Sequence, residues 1–313
     1  MKTAVKKREH QRMTKRERWE TLKGYLFISP YLIGFVCFTL IPLLFSMYSS
    51  FTYYDMTSTQ KWVGLKNYIN IFAGDENVRI GLYNTVYYVI FSVPMVIILA
   101  LMIALLLNMK VWLMSFFRTV YYLPSVLSGV AVYLLWQWIF DPSNGLLNNM
   151  LALINIQGPA WLFDPNWTKP ALIIMRMWHV GGTMVLFLAA LQNVPEELYD
   201  AGEIDGAVGF KRFRYITLPM VSPTMLFVMI TAINGAFQIF DSAYIMTNGD
   251  MNAAGKSLLF YNLYLYNKAM KEYSMGYACA LAWVLFAIIL VFTLLQLYVS
   301  NKWVYYDDDG GKS

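Results

Sequence analysis

The sequence predicts an all-α polytopic membrane protein with six transmembrane helices and cytoplasmic N- and C-termini. Three observations carry that expectation. Of 313 residues, 58% are hydrophobic and only 14% are charged, whereas soluble domains carry about 25% charged residues. Six stretches lack Asp, Glu, Lys and Arg altogether, and each approaches or exceeds the ~20 residues that cross a hydrocarbon core. Finally, Lys and Arg divide unequally between alternate connections, sixteen on the side of the termini against seven on the other, with Arg176 set aside. Basic residues accumulate on the cytoplasmic side.

In chain order, a basic segment at 1–23 holds nine Lys and Arg. Its TKRERWETLK is expected as a short helix on the membrane surface, with its bases near anionic headgroups. The apolar run that follows outlasts the ~7–15-residue core of a cleavable signal, so an uncleaved first span is expected at 24–54. Spans two and three are expected at 80–109 and 119–140, joined by a connection containing Lys110 and Arg118. The stretch 142–163 also lacks charge, but its asparagines and turn residues read as an interfacial loop. Within it a short surface helix would present Leu147, Met150, Leu151 and Ile154 on one face. Span four is expected at 177–195, with an earlier start enclosing Arg176 left open. Span five is expected at 215–240 and span six at 273–301, closing a membrane domain of 24–301; a tail follows at 302–313. Pro42, Pro94, Pro124, Pro219 and Pro223 suggest kinked helices around a cavity, tolerated where neighbours satisfy the freed carbonyl.

Several function classes fall away. Cys37 and Cys279 lie in apolar runs, and His10 and His179 are far apart. They offer neither a disulfide framework nor a metal site. No Ser–His–Asp or Cys–His constellation is evident, so no catalytic residue is assigned. The net charge of +5 comes largely from the first 23 residues; it reads as a topology signal, not a nucleic-acid surface. AAGKS at 253–257 imitates a phosphate-binding loop, but five residues separate Gly249 from Gly255 where four are required, and no strand is expected before it.

The segment between spans four and five is of another kind. Glu197 to Pro219, ELYDAGEIDGAVGFKRFRYITLP, is charged, glycine-punctuated and several times longer than the usual ~4–6-residue connection. Pro195 suits the first helical position, and Glu196 and Glu197 suit the positive end of a helix. Leu198, Ala201, Ile204 and Val208 recur at helical spacing, and Gly206 and Gly209 loosen or end the helix. A second amphipathic turn follows, with Phe210, Phe213 and Thr217 on one face and Lys211, Arg212 and Arg214 beside it. A compact helix–turn–helix with small residues at its bend suits a groove on another protein.

This segment resembles the EAA loop of binding-protein-dependent ABC importer permeases. Asp200-Ala201-Gly202, Asp205-Gly206-Ala207 and Ile216-Thr217-Leu218-Pro219 stand where that pattern has Glu-Ala-Ala, a glycine and Ile-x-Leu-Pro. PEELYDAGEIDGA, WVGLKNYINIF, LYNTVYYV, FDSAYIMTNG and MGYACALAWVLF are similar to the carbohydrate-uptake group, the maltose and glycerol-phosphate type. The likeness covers nearly the whole chain. Two departures stand out: Asp200 is shorter than Glu, and Gly202 replaces Ala at ~1 kcal/mol of helix propensity.

The resemblance implies a type I ABC importer permease fold in a prokaryotic inner or plasma membrane, surrounded by lipid. It implies a non-catalytic subunit with no cofactor of its own; ATP and Mg would sit on two separate ATPase subunits. A second homologous permease and an extracytoplasmic solute-binding protein complete the assembly. Within the loop 195–219, Glu197, Asp200, Ala201, Gly202, Asp205, Gly206 and Ala207 would form the ATPase contact.

For the solute path, Asn234, Gln238 and Asp241 are spaced i, i+4, i+7 in span five. Arg176, His179 and Thr183, spaced i, i+3, i+7, likewise share one face in span four, with Trp178 adjacent. Polar groups in lipid are costly and face a cavity, and the resemblance implies a solute site on these two helices. Arg176 and Asp241 lie toward the outer ends and could pair with each other. The expected cargo is a carbohydrate, first of all an oligosaccharide. Glycerol phosphate is the alternative, since a guanidinium suits phosphate. An ion-coupled carrier, the distant alternative, would require carboxylates deep in the spans, and none is evident.

Overall fold

The computed structural model describes residues 15–57, 59–109 and 113–305. The bases before Lys15, together with Lys110 and Lys312, lie outside the described residues. α1 (Lys15–Phe35), a π-helical turn (Val36–Leu40) and α2 (Ile41–Ser50) form one rod. The separate surface helix expected before span one is therefore fused to it. Nothing between Lys23 and Gly24 breaks the backbone ladder, and Arg16 pairs with Glu20 one turn on at 3.3 Å. Only the α2 end packs firmly on the bundle, against α16 (Met275–Ser300). The preceding turns stand clear, leaving Phe27 and Phe38 more than four-fifths exposed.

A two-residue hairpin, β1 (Thr52–Tyr53) against β2 (Lys61–Trp62), and α3 (Lys66–Ala73) cap the far end of α2. Asn67 pins this cap by donating to the Ser50 and Thr52 carbonyls at 2.8 and 3.0 Å.

α4 (Glu76–Leu107) is the central helix. Two apolar clusters stack along it. Tyr88, Val89 and Val93 pack with Trp136, Leu172 and Phe237; Ala100 and Ala104 pack with Met184 and Phe187. Burying each large apolar side chain contributes about 1.5–3 kcal/mol. Asp75 caps α4. One carboxylate oxygen accepts from the Asn77 and Val78 amides, and the other from the Tyr264 and Tyr277 hydroxyls. Burial opposes the charge on Asp75, but the hydroxyls of Tyr264 and Tyr277 and the two amides outweigh it, so its pKa lies below the usual carboxylate value. That stabilisation is fully present above the ordinary aspartate pKa and is lost as pH falls through the depressed one. Asp75→Ala should lower stability by about 1–3 kcal/mol, read as a lower melting temperature at pH 7. The wild type and the variant should converge in strong acid.

The third expected span is not one helix. α5 (Met114–Val126) and α6 (Gly129–Ile139) meet at 98°. Pro124 weakens the last turns of α5, and Leu127 and Ser128 take extended ψ values of 148° and 128°. The surface helix forms as α7 (Leu146–Leu153), but only Leu147 and Leu151 pack against the core; Met150 and Ile154 are exposed. Asn148 holds the surrounding loop by accepting from Trp161 Nε1 at 2.7 Å.

The fourth span begins earlier than 177, as α8 (Thr168–Trp178), and bends by 47° into α9 (Gly181–Gln192). After the connection come α10 (Glu196–Ile204), α11 (Phe210–Arg212), a π-helical turn (Phe213–Thr217) and α12 (Leu218–Met220). The fifth span is α13 (Ser222–Phe237) continued by α14 (Asp241–Thr247). α15 (Tyr261–Tyr266) and a π-helical turn (Asn267–Lys271) lead to α16. Four helices are long and apolar enough to cross a membrane, or up to six if each bent pair is one span, among the described residues. The Tyr305 amide donates to Ser222 Oγ at 2.9 Å, so Tyr305 lies beside the start of α13. The hairpin cap occupies the opposite end of α16.

Candidate functional site

Two features are built to meet something outside the chain. The first is the segment 195–219. Pro195 is the N-cap of α10 and not its first helical residue, because its ψ of 133° is extended. Glu196 and Glu197 fill the first turn, where a helix's positive end favours them. The helix ends in a Schellman motif: the Gly206 amide donates to Glu203 O at 3.1 Å and the Ala207 amide to Gly202 O at 2.7 Å. Gly206 occupies the left-handed position at φ +75°, which glycine takes without a Cβ penalty.

α10 folds back on residues 210–217 through its Tyr199–Gly202 side. Arg212 lies over the Tyr199 ring at 4.0 Å, and Tyr199 OH and Thr217 Oγ1 are 3.3 Å apart. Gly202 is buried, and a Cβ there would sit 2.3 Å from Ile216 Cδ1. At the glycine that departs from the family pattern, the terminal methyl of Ile216 occupies the space an alanine methyl would take, and alanine would require that methyl to move aside. The apolar stripe points away from the chain. Leu198 is 40%, Ile204 88% and Val208 61% exposed, and Asp200, Ala201, Asp205 and Gly206 are exposed beside them.

The second feature is a cavity of about 330 Å³ at the helix breaks. Arg176, His179, Gln238 and Asp241 line it together with Tyr88 from α4, Tyr133 from α6 and Ser242. The helical-spacing arithmetic fails in both spans. α13 stops at Phe237, Gln238 caps it, and Asp241 opens a new helix. α8 stops at Trp178, His179 caps it, and Thr183 belongs to α9. The breaks themselves bring the capping residues to the cavity.

Asn234, Trp178 and Thr183 are not in its lining. Asn234 accepts from Thr293 Oγ1 at 3.4 Å and, through its carbonyl, from Gln238 Nε2 at 3.3 Å. Trp178 packs edge-on against Trp136. Nor do Arg176 and Asp241 pair. Arg176 donates to Ser92 Oγ at 3.2 Å and Ala232 O at 2.9 Å and lies over the Tyr88 ring. The cavity thus offers hydroxyls, an amide, a carboxylate, an imidazole and aromatic rings. That is a set for orienting a polar, hydroxylated solute.

Residues 78–305 match the family described as the binding-protein-dependent transport system inner membrane component. The chain belongs to this family. It is 39% identical to a probable ABC transporter permease protein, YesP, of Bacillus subtilis (strain 168), over 93% of this chain and 94% of that one. It is 34% identical to the lactose transport system permease protein LacF of Rhizobium radiobacter, over 91% of this chain and 96% of that one. Its fold matches a chain in the crystal structure of a bacterial ABC transporter involved in the import of the acidic polysaccharide alginate. The TM-score is 0.77 at 24% identity, covering 91% of this chain and 98% of that chain.

Within this permease, sequence spacing named four of the cavity's residues and missed Tyr88 and Tyr133. Their signal was weak, since the chain has 23 tyrosines. Only the fold distinguishes two that face a cavity from those at an interface or in the core.

Proposed function

We propose that this permease crosses the membrane six times with both termini cytoplasmic, and imports a carbohydrate, most naturally an oligosaccharide, as the passive half of an ATP-driven machine. Counting each bent pair as one span gives six. The Lys and Arg asymmetry supports a cytoplasmic loop 195–219 and an external hairpin cap. The cargo reading rests on relatives named for sugar transport, among them the arabinooligosaccharides permease AraP of Bacillus subtilis and the trehalose/maltose permease MalF of Thermococcus litoralis. It also rests on the cavity's polar and aromatic lining.

The observation that carries the coupling proposal is the outward stripe of Leu198, Ile204 and Val208 on a rigidly capped helix. An apolar helical face in contact with water fits a groove on another protein. The occupant we assign is a separate ATPase subunit that holds ATP and Mg. Glu197, Asp200, Ala201, Gly202, Asp205, Gly206 and Ala207 form or support the contact, and closure of the ATPase pair swings the spans as rigid bodies. A second permease would border the exposed face of α1, and a solute-binding protein would dock at the hairpin-cap end.

The test is co-purification. Ile204→Asp puts a charge into the proposed groove and should weaken ATPase retention by at least about tenfold while membrane insertion is unchanged. Full retention of the ATPase by this variant would remove the docking role. At the end of α13, where Gln238 lines the cavity and Asn234 lies just outside it, Asn234→Ala with Gln238→Ala should alter uptake of the transported sugar by about threefold or more, the worth of one hydrogen bond. Wild-type kinetics in the double variant would exclude both residues from the path.

A further inference from the structure

We infer that the groove between α4 and α8 holds an acyl chain of an anionic phospholipid, with Lys169 gripping the phosphate. The groove encloses about 480 Å³ and is walled by side chains such as Phe91, Met95 and Met102 of α4 and Ile173 and Ile174 of α8. From Tyr87 to Met102 the helix rises ~22 Å, more than the ~15 Å hydrocarbon depth of one leaflet.

Lys169 identifies the occupant. It precedes Pro170 at the mouth of the groove. Its Nζ donates to Asn84 Oδ1 at 2.9 Å and stands over the rings of Tyr83 and Tyr87 at 5.3 and 5.0 Å. All three partners are neutral. Neither of the two ion pairs among the described residues includes Lys169. An ammonium has three donors, and one goes to Asn84. A cation kept at an apolar boundary by neutral groups retains charge that an anion can balance. A phosphate would accept from the remaining donors, and Tyr83 and Tyr87 supply the aromatic rings expected at headgroup level. An apolar helix of another subunit laid over the groove would bury the same charge unmatched, which is unfavourable. Assigning the mouth to the outer leaflet rests on the orientation proposed above; the lipid site does not.

The experiment quantifies phosphatidylglycerol retained by the intact transporter purified in mild detergent, using mass spectrometry of extracted lipid. Lys169→Gln should reduce the retained phosphatidylglycerol by about tenfold or more, the worth of a charge-assisted hydrogen bond. Ile174→Trp fills the groove while leaving Lys169 in place and should have the same effect. Phosphatidylethanolamine should be unaffected by Lys169→Gln. Unchanged phosphatidylglycerol in both variants would overturn the inference, as would equal loss of the two lipids in Lys169→Gln. Efficient cross-linking of an Ile174→Cys variant to a second permease subunit would overturn it too. Sugar uptake is not the readout, so the outcome is independent of the cargo assignment.

Discussion

Gly206→Leu should abolish ATP-driven uptake while the protein still inserts at normal levels. Two effects combine. Gly206 sits at φ +75°, and a side chain there costs about 1–2 kcal/mol. That strain falls on one exposed cap and leaves the two apolar clusters untouched. Apart from its chain neighbours, no described atom lies within 4 Å of the position a Cβ would take, so the first carbon of the new side chain meets no obstacle in the isolated permease. It would meet one only in the proposed complex with the ATPase, where small residues at the bend would allow close approach. The expected signature is therefore a split: ordinary abundance and melting temperature within a few degrees, with uptake and transport-stimulated ATP hydrolysis at background. Gly206→Ala should fall between, since it keeps the strain but adds one methyl. Unimpaired uptake by Gly206→Leu would contradict a close contact at this elbow.

Gly276→Ala should give the opposite split, a loss of stability that precedes any loss of function. Gly276 is the second residue of α16, where the helix start crosses the end of the first rod. A Cβ there would lie 2.1 Å from the Thr52 carbonyl oxygen and 3.2 Å from that of Ser49. Both obstacles are backbone and cannot rotate aside. The Gly276 amide also donates to Tyr54 O at 3.1 Å, and Thr52 O is the acceptor for Asn67. Separating the strands of this crossing would disturb all of these bonds, at a cost of about 1–3 kcal/mol or more. Thermal unfolding of the detergent-solubilised transporter should show a clearly lower transition, with the hairpin cap becoming sensitive to protease. An unchanged transition would show that α16 can retreat freely.

The two variants mark the two ends of the same device. One end is a capped elbow whose apolar side points outward. The other is a tightly crossed cap that joins the first and last spans. Between them lie breaks at 127–128, 179–180 and 238–240, where capping residues leave the helical ladder. Discontinuous helices of this kind bring polar groups to a solute path within a bundle.

The amino-acid sequence by itself determined the membrane class, the approximate positions of the spans and the segment 195–219. Those properties are local: the length of an uncharged run, the sign of the charges flanking it, and the order of glycine and apolar residues along one helix. Even the departure at Gly202 was legible as a departure, though not as a fit to Ile216, which lies fourteen residues on. Only the tertiary structure decided where the helices break, and therefore which residues share the cavity. A run such as 215–240 is equally apolar on both sides of Gln238, and hydropathy does not register a bend. Bonds between distant segments hold the helices around the breaks, as from Arg176 to Ser92 and Ala232 and from Gln137 to the Ile245 carbonyl. Tyr88 and Tyr133 join Asp241 because a cavity is a meeting of distant segments, and its composition is set by how five helices meet.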